Sequence, residues 1–302
     1  MTSDINNLIR NFIERCRTEN EKPLLVLLGP TASGKTALSI EIAEKFNGEI
    51  ISADSRQVYK YMDIGTDKIS KEKRKGIPHY LIDIIEPTER FTVADFKKTA
   101  EAVIDEILKR GKLPMLVGGT GLYLRSITQN FMIPPENPSV RKKLLEELET
   151  RGGAELYKKL QNLDPFNAAK IHPNSIPYVI RALEIFMTTG KPKRDSKLPA
   201  RYSCLQIGLF APREILFERI HKRINEQMKR GLVEETQKLL DMGYRKNLPC
   251  MKSLGYKEMV AYLSGEISLN EAVEMLKQNT RNFAKRQMTW FKKDKEIIWM
   301  RI

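Results

Sequence analysis

Cysteine, histidine and long apolar runs are all scarce in this sequence of 302 residues. The three cysteines are far apart and form no CxxC pair, so we expect neither a disulfide framework nor a zinc site. The three histidines also lack metal-ligand spacing. No apolar run reaches about 18 residues, the length of a membrane-spanning helix, and residues 1–20 are too polar for a secretory signal. We therefore expect a cytoplasmic protein that does not enter the membrane.

Acidic residues are too few to balance the basic ones. The 38 Asp and Glu residues against 52 Lys and Arg residues leave a formal net charge of +14. An enzyme for small molecules rarely needs such an excess, and binding of a polyanion is its usual physical reason. A basic surface that only keeps the protein soluble is the alternative. The length suits one large domain or two modest ones.

A glycine-rich loop is the clearest motif of the chain. Its residues are Gly29-Pro30-Thr31-Ala32-Ser33-Gly34-Lys35-Thr36, which fit the pattern G-x-x-x-x-G-K-[ST]. An apolar run typical of a buried parallel strand precedes it, and helical spacing follows it. This context predicts a diphosphate site of backbone N–H groups at a helix N-terminus, with Lys35 adding charge and the Thr36 hydroxyl holding Mg²⁺. The motif leaves open whether the reaction transfers a phosphate or expels a diphosphate.

Two later strand patterns end in residues of chemical interest. Residues 50–53 predict a strand that ends at Asp54. Ligands bind at the carboxyl ends of strands in an open α/β sheet, so Asp54 is a candidate general base, and a turn aspartate is the alternative. Residues 113–117 predict another strand, which leads into glycines and Thr120. An ATPase is expected to place an acidic residue there, so this strand end weakens a motor or GTPase interpretation.

Three segments between these strands carry structural signals. The polar and basic residues 61–78 predict a mobile surface loop or lid, and residues 79–85 predict a third strand. Residues 91–110 predict a helix with one apolar face, capped by Thr92 and with Asp95 three residues later.

The sequence pattern changes after three prolines between residues 134 and 138. Residues 139–189 carry helical patterns with more basic than acidic side chains. We therefore expect an α/β fold in which residues 1–130 and 199–302 form a phosphate-loop parallel sheet flanked by helices. Residues 131–198 would form a small all-helical insertion domain. A solvated helical decoration without function is the alternative for this segment.

Basic residues also recur at helical spacing in the last third of the chain. Arg219 and Arg223 are four residues apart in a helical pattern, where an arginine would suit a leaving diphosphate, although most helix arginines are only surface residues. Arg281, Lys285 and Arg286 alternate with aromatic residues, as a face for a nucleic-acid backbone needs. The aromatic side chains could equally be core anchors for a final strand.

Nine motifs in order resemble those of the bacterial tRNA dimethylallyltransferases. They are GPTASGKT, ISADSRQVYKYMDIGTDK, HYLIDI, LVGGTGLYL, DPFNAAKIHPN, RALEIFMTTGK, GLVEE, SLGYKEM and TRNFAKRQMTWFKK, and together they span residues 22–295. The resemblance implies that a dimethylallyl group moves from dimethylallyl diphosphate to N6 of the adenosine 3′ of the anticodon in tRNA. It also implies a Mg²⁺ cofactor, the tRNA anticodon stem-loop as partner and a helical insertion that grips the anticodon arm. We expect a monomer.

The resemblance further implies roles for the matching positions. The loop Gly29–Thr36 would hold the diphosphate and Mg²⁺, Asp54 would be the base, and Arg223 would bind the diphosphate. The residues implied to contact tRNA or the target base are Asp54, Ser55, Arg56, Gln57, Thr120, Arg141, Tyr178 and Arg181. The chain departs from the family at Asn174-Ser175-Ile176-Pro177-Tyr178, where Asn-Asp-x-x-Arg is usual, so the acid and the cation are missing there.

Three other functions stay open at this point. A small-molecule kinase could use the same loop, with Asp54 deprotonating a hydroxyl. An adenylate prenyltransferase acting on a free nucleotide is a closer relative, which the basic insertion disfavours. A tRNA-binding module without activity is the third, against which the intact Lys35, Thr36 and Asp54 argue.

Overall fold

Six strands form one parallel sheet in the computed structural model, which describes residues 2–192 and 198–302. The strands are β1 (Pro23–Leu28), β2 (Gly48–Ala53), β3 (His79–Tyr80), β4 (Leu113–Gly118), β5 (Ser203–Phe210) and β6 (Ile297–Arg301). Their order across the sheet is β3-β2-β4-β1-β5-β6. All neighbouring strands pair in parallel, and the expected α/β fold class is confirmed.

Eleven helices surround this sheet or lie apart from it within the described residues. They are α1 (Thr2–Thr18), α2 (Lys35–Phe46), α3 (Val93–Lys109), α4 (Gly121–Thr128), α5 (Pro138–Leu163), α6 (Pro165–Ala168), α7 (Ile176–Thr189), α8 (Arg213–Lys229), α9 (Leu232–Asp241), α10 (Tyr256–Leu263) and α11 (Leu269–Phe291). In the part of the chain that the structure describes, none of them is long and apolar enough to cross a membrane. The cap expected for α3 is confirmed, because Thr92 and Asp95 each accept a hydrogen bond from the other's backbone N–H.

The strand before the phosphate loop is buried on both sides. Successive side chains of a strand point to opposite faces of the sheet. Leu24, Val26 and Leu28 accordingly pack with the apolar faces of α3 and α4, whereas Leu25 and Leu27 pack with those of α1 and α2. A continuous apolar run is what this double coverage requires, and it holds the following loop on a rigid support.

Contacts along the chain separate two compact units. Unit 1 consists of residues 1–129 and 200–302 and contains the sheet, and unit 2 consists of residues 130–199 and contains α5, α6 and α7. Residues 193–197, which belong to the insertion expected over 131–198, lie outside the described residues.

Unit 2 has its own apolar core. Its longest helix, α5, breaks at Gly152, whose φ of 79° and ψ of 167° are not helical. The two parts of α5 then pack against α7 through buried side chains that include Leu144, Leu160 and Val179. The core of unit 2 is therefore built from the two parts of α5 and from α7.

The third strand is much shorter than the sequence suggests. Only His79 and Tyr80 pair with β2, although the apolar pattern continues to residue 85. Leu81 and Asp83 have φ values of 62° and 58°, a left-handed conformation that cannot continue a strand. The expectation of a strand over 79–85 is therefore wrong beyond its first two residues.

The segment expected to be a mobile lid is tied down at its start. The Glu235 carboxylate on α9 accepts hydrogen bonds from the backbone N–H groups of Asp63, Ile64 and Gly65 at 2.8–3.1 Å. Lys68, counted as surface charge in the sequence, is 7% exposed and donates to the Tyr59 carbonyl. Polar anchors of this kind join residues 63–68 of the expected lid to the folded core.

Candidate functional site

The carboxyl ends of β1, β2 and β4 open into a pocket of about 610 Å³ within unit 1. Its lining includes these residues singled out from the sequence: Thr31, Ala32, Ser33, Gly34, Lys35, Thr36, Asp54, Ser55, Arg56, Gln57, Thr120, Arg223 and Arg286. Gly29 and Pro30 belong to the same loop but do not line the pocket. Residues far apart in the chain thus meet at the sheet edge where ligands bind in such folds.

The phosphate loop is shaped by close backbone contacts. Gly29 has a φ of 146°, and a Cβ there would lie 2.6 Å from the Leu209 carbonyl oxygen on β5, so no other residue fits. Gly34 has a φ of 74° and is the N-cap of α2, whose N-terminus lies at the pocket. The loop therefore presents backbone N–H groups to an anion, as its sequence pattern predicts.

Gln287 on α11 joins two edges of the pocket. Its side-chain oxygen accepts a hydrogen bond from the Thr31 N–H at 2.8 Å, and its amide donates to the Gly119 carbonyl at 2.9 Å. It thereby fixes the phosphate loop against the end of β4. Sequence reasoning missed this residue, because a glutamine within a basic helix carries no motif of its own.

Lys35 rests on the carbonyls of its own loop. Its ammonium group donates to the Gly29 oxygen at 3.0 Å and to the Pro30 oxygen at 2.7 Å. Desolvation by the surrounding protein, helped by the nearby Arg223 charge and opposed by Asp54, lowers the pKa of Lys35 to about 7. The amine is therefore poised to become fully charged when a polyanion arrives.

Asp54 uses only one of its carboxylate oxygens within the protein. Oδ1 accepts the Arg56 N–H at 2.8 Å, which is an Asx turn, and Oδ2 has no hydrogen bond among the described residues. Thr120 supports the same turn, because its Oγ1 accepts the Ser55 N–H at 3.1 Å. Gln57 accepts from the Ser52 hydroxyl at 2.9 Å. The turn role and the general-base role are thus compatible, since the turn orients the second oxygen.

Of the two α8 arginines singled out from the sequence, Arg223 lines the pocket and Arg219 is exposed elsewhere on the helix. The Arg223 Nη1 atom is 3.6 Å from a carboxylate oxygen of Asp67. Its Nε atom is buried and has no hydrogen-bond partner among the described residues. A buried donor without a partner is costly, so this guanidinium is prepared for an anionic ligand.

The basic cluster of α11 splits between two environments. Arg286 lines the pocket together with Phe283, whereas Arg281 donates to Gln278 and contacts the His221 ring. Lys285 and Arg281 both lie over the Phe217 ring, with the cation about 5.8 Å from its centre. The cluster is therefore not one continuous face toward the pocket.

The aromatic residues at the end of α11 are anchors of unit 1. Phe291 is buried, and Trp290 packs so closely on α4 that a Cβ at Gly121 would lie 2.3 Å from its ring. Arg125 covers the Trp290 ring at 5.6 Å. Phe291 is therefore a core anchor, whereas Trp290 remains 39% exposed.

The three residues of unit 2 expected to contact tRNA, namely Arg141, Tyr178 and Arg181, differ in how accessible they are to a ligand. Glu184 is fully buried and binds both arginines, Arg141 at 3.2 Å and Arg181 at 3.0 Å. Burial raises the pKa of Glu184, but the Asn137 N–H and the Arg181 charge outweigh it, and the net shift is downward. Tyr178 is 70% exposed. The tyrosine is thus freely accessible, whereas much of the arginine charge is neutralised inside the unit.

A magnesium ion would find few ligands from the protein alone. Among the described residues, no group of three or more His, Cys, Asp or Glu side chains could hold a metal. The Thr36 hydroxyl follows Lys35 in the lining of the pocket. Mg²⁺ is commonly bound by one or two protein oxygens together with phosphate oxygens, so the donor set fits a metal that arrives with a diphosphate.

Comparisons with known proteins match nearly the whole chain. A family model described as IPP transferase matches residues 57–294. A tRNA dimethylallyltransferase of Thermoanaerobacter sp. (strain X514) is 51% identical over 285 residues, which cover 91% of this chain and 90% of that protein. One of Acetivibrio thermocellus is 50% identical over 284 residues, covering 92% of this chain and 91% of that protein.

Two solved structures are also similar. The full-length tRNA isopentenylpyrophosphate transferase of Bacillus halodurans has a TM-score of 0.70 and 43% identity, covering 93% of this chain and 90% of that one. A eukaryotic dimethylallyltransferase acting on tRNA has a TM-score of 0.80 and 30% identity, covering 93% of this chain and 74% of that one.

Proposed function

Because the chain belongs to the IPP transferase family, we propose that it is a prenyltransferase that moves a dimethylallyl group from dimethylallyl diphosphate to tRNA. The observation that carries this proposal is one pocket that combines an anion site with an available carboxylate. The phosphate loop and Arg223 line it beside Asp54, whose Oδ2 accepts no hydrogen bond from the described residues. An anion site next to an available carboxylate suits a reaction in which a diphosphate leaves and a proton is removed.

The first half of the reaction is loss of diphosphate from an allylic carbon. The bond between this carbon and the diphosphate oxygen breaks, and the leaving group takes the electron pair. Backbone N–H groups of Gly34, Lys35 and Thr36 at the start of α2, the Lys35 ammonium and the Arg223 guanidinium would neutralise the charge that develops there. The Thr36 hydroxyl would help to hold Mg²⁺, which supplies additional positive charge to the leaving group.

The second half is attack by an exocyclic amine. N6 of adenine is a poor nucleophile because its lone pair is delocalised into the ring, so the proton must leave as the C–N bond forms. Asp54 would accept that proton on Oδ2 while Oδ1 stays in the Asx turn. The Thr120 hydroxyl, whose hydrogen has no acceptor among the described residues, would donate to the substrate.

The target adenosine is proposed to be the one immediately 3′ of the anticodon. A base within a folded anticodon loop must be flipped out, at a cost of a few kcal/mol, before it can enter such a pocket. The net charge of +14 and the exposed Tyr178 support binding of the anticodon stem-loop by both units. We further propose that the enzyme acts as a monomer in the cytoplasm.

One assay separates this function from its rivals. Purified protein is incubated with dimethylallyl diphosphate, Mg²⁺ and unmodified tRNA, and the digested nucleosides are analysed by mass spectrometry. We expect dimethylallyl adenosine in tRNA, stoichiometric diphosphate and no ATP requirement. Modification of free adenylate but not of tRNA would instead indicate an adenylate prenyltransferase, and ATP turnover with a small acceptor would indicate a kinase.

A further inference from the structure

A second carboxylate lies in the pocket, and neither half of the proposed reaction uses it. The basic side chains that line the pocket are Lys35, Arg56, Arg223, Lys252, Lys257 and Arg286, as expected for an anionic ligand. Asp67 lies among them and, unlike Asp54, does not follow a strand. A negative charge beside a diphosphate site weakens anion binding, so its presence needs a physical explanation.

Asp67 stands between Arg223 on α8 and Arg230, the residue that directly follows this helix. One of its carboxylate oxygens is 3.6 Å from Arg223 Nη1, and the other is 3.6 Å from Arg230 Nη1. Both distances are too long for a hydrogen bond but short enough for an ion pair. Asp67 therefore attracts the diphosphate-binding arginine without satisfying it, and the buried Arg223 Nε still lacks a partner among the described residues.

The Asp67 backbone is held in place from two sides. Gln227 lies on α8 between the two arginines and donates to the Ile64 carbonyl at 2.7 Å, while the Asp67 N–H donates to the same residue's oxygen at 3.1 Å. The Glu235 carboxylate fixes the preceding turn through three N–H groups. Because loop and helix are joined in this way, Asp67 cannot move away cheaply when an anion enters.

We infer that Asp67 is an internal counter-ion of Arg223, which competes with the diphosphate group for this guanidinium and thereby promotes release of the product diphosphate. Asp67 is a positioning residue in this scheme, because it acts through Arg223 and touches neither reacting atom. Arg230 shares the Asp67 charge and so sets how strongly Asp67 competes. The inference rests on the proposed function, since it takes Arg223 as a ligand of the leaving group.

The test measures binding of inorganic diphosphate with Mg²⁺ by calorimetry, without tRNA or prenyl donor. Asp67→Asn should tighten binding about threefold to tenfold, the size of effect expected for removing one nearby charge at a partly exposed site. Glu214→Gln is the matched control, because it removes one negative charge from an exposed position in the first turn of α8, the helix that carries Arg223. Its effect should be within about twofold, since nine residues of helix span about 13 Å and salt screens exposed charges beyond about 8 Å.

A double-mutant cycle decides whether Asp67 acts through Arg223. In an Arg223→Gln background, Asp67→Asn should change diphosphate affinity less than about twofold, because coupled residues are not additive. A damaged fold would weaken binding, which is opposite to the expected direction. If Asp67→Asn does not fold, Arg230→Gln provides the second arm, and it should weaken binding in the parent but not in the Arg223→Gln background.

Failure of the counter-ion role and failure of the proposed function would give different results. Unchanged or weaker diphosphate binding by a folded Asp67→Asn variant, or an equal effect with and without Arg223, would overturn the counter-ion role and leave the proposed function intact. If Arg223→Gln alone leaves diphosphate affinity unchanged, Arg223 is not the leaving-group ligand and the inference falls with that assignment. Absence of dimethylallyl transfer by the parent protein would instead contradict the proposed function.

Discussion

The pocket of unit 1 and the arginine cluster of unit 2, which consists of Arg141 and Arg181 around Glu184, treat positive charge in opposite ways. In the pocket, Lys35 rests on neutral carbonyls and Arg223 keeps a buried Nε without a partner among the described residues. In the cluster, one buried carboxylate binds both arginines. Charge is available to a ligand only where the protein's own acids leave it unsatisfied. Unit 1 therefore has the features of a reaction site, whereas unit 2 uses much of its arginine charge inside its own fold.

Among the changes that test this contrast in charge, Lys35→Met is expected to have the largest effect, because it keeps the side-chain length and removes the charge from the loop. The single-turnover rate of dimethylallyl transfer should fall about 10²–10³-fold, as for other preorganised groups that stabilise a developing anion. The affinity for tRNA should change little, because Lys35 lies within the loop and contacts its carbonyls. Rapid-quench assays on saturating tRNA measure the rate, and filter binding measures the affinity.

The matched control is Lys45→Met, since Lys45 is an exposed lysine in the last turn of the same helix. It should keep the parent rate. An equal loss in both variants would mean that net charge, and not the position of Lys35, governs the reaction, and the contrast between the two units would then disappear.

A smaller effect, on affinity alone, is expected for Tyr178→Ala in unit 2. Loss of a stacking aromatic ring should weaken tRNA binding by about 1–3 kcal/mol, whereas the rate at saturating tRNA stays within about twofold. Phe166→Ala is the control, because the Phe166 ring is also exposed but carries the Lys170 ammonium at 3.6 Å over its face. A lower saturated rate for Tyr178→Ala would give unit 2 a part in the chemistry and break the comparison.

Proton uptake on diphosphate binding should follow from the pKa of Lys35, which is lowered to about 7 in the free protein. A group with a lowered pKa is mostly neutral above that pH, and a bound anion restores its charge. At pH 8 the amine should therefore take up about 0.9 proton on binding, and at pH 6 about 0.1. Calorimetry in two buffers of different ionisation enthalpy measures this number.

The ligand itself also titrates, so the comparison with Lys35→Met isolates the lysine. This variant should show lower uptake at pH 8 and nearly unchanged uptake at pH 6. Equal uptake by parent and variant at pH 8 would show that Lys35 is already charged before the anion binds, contrary to its lowered pKa.

The smallest effect is expected within the basic cluster of α11. Arg286→Gln should lower the slope of log affinity for tRNA against log salt by about 0.7–0.9, the contribution of one phosphate contact. Arg281→Gln should change it by much less than one contact, because the Arg281 side chain is engaged by Gln278 and His221. Equal slopes for the two variants would mean that the cluster acts as one face after all.

Sequence reasoning succeeded where a local pattern dictates a backbone conformation. The phosphate loop needs left-handed or extended glycines at Gly29 and Gly34, and both occur. The box of Thr92 and Asp95 likewise depends on residues three apart, and it forms as expected. These features depend on residues a few positions apart, so the local sequence is enough to predict them.

Composition was a less reliable guide, because it does not show which side chains pair with a given charged group in the folded protein. Lys68 counts as surface charge in the sequence but is buried with Asp63 and Asp83 close to its ammonium group. Gln287 joins two loops through contacts to residues more than one hundred positions away. Long-range pairings of this kind leave no periodic signal, so the sequence alone could not show that residues 63–68 are held by the folded core or that Arg281 and Arg286 have different surroundings.

The most direct test of the account is the single-turnover rate of Asp54→Asn on a preformed complex with tRNA, measured beside tRNA affinity and a thermal melt. Asn keeps the Asx turn with the Arg56 N–H, so stability and affinity should stay close to those of the parent. Because an amide accepts a proton poorly, the rate should fall about 10²–10⁴-fold. A rate within about threefold of the parent, well short of what a general base contributes, would show that Asp54 is not the general base.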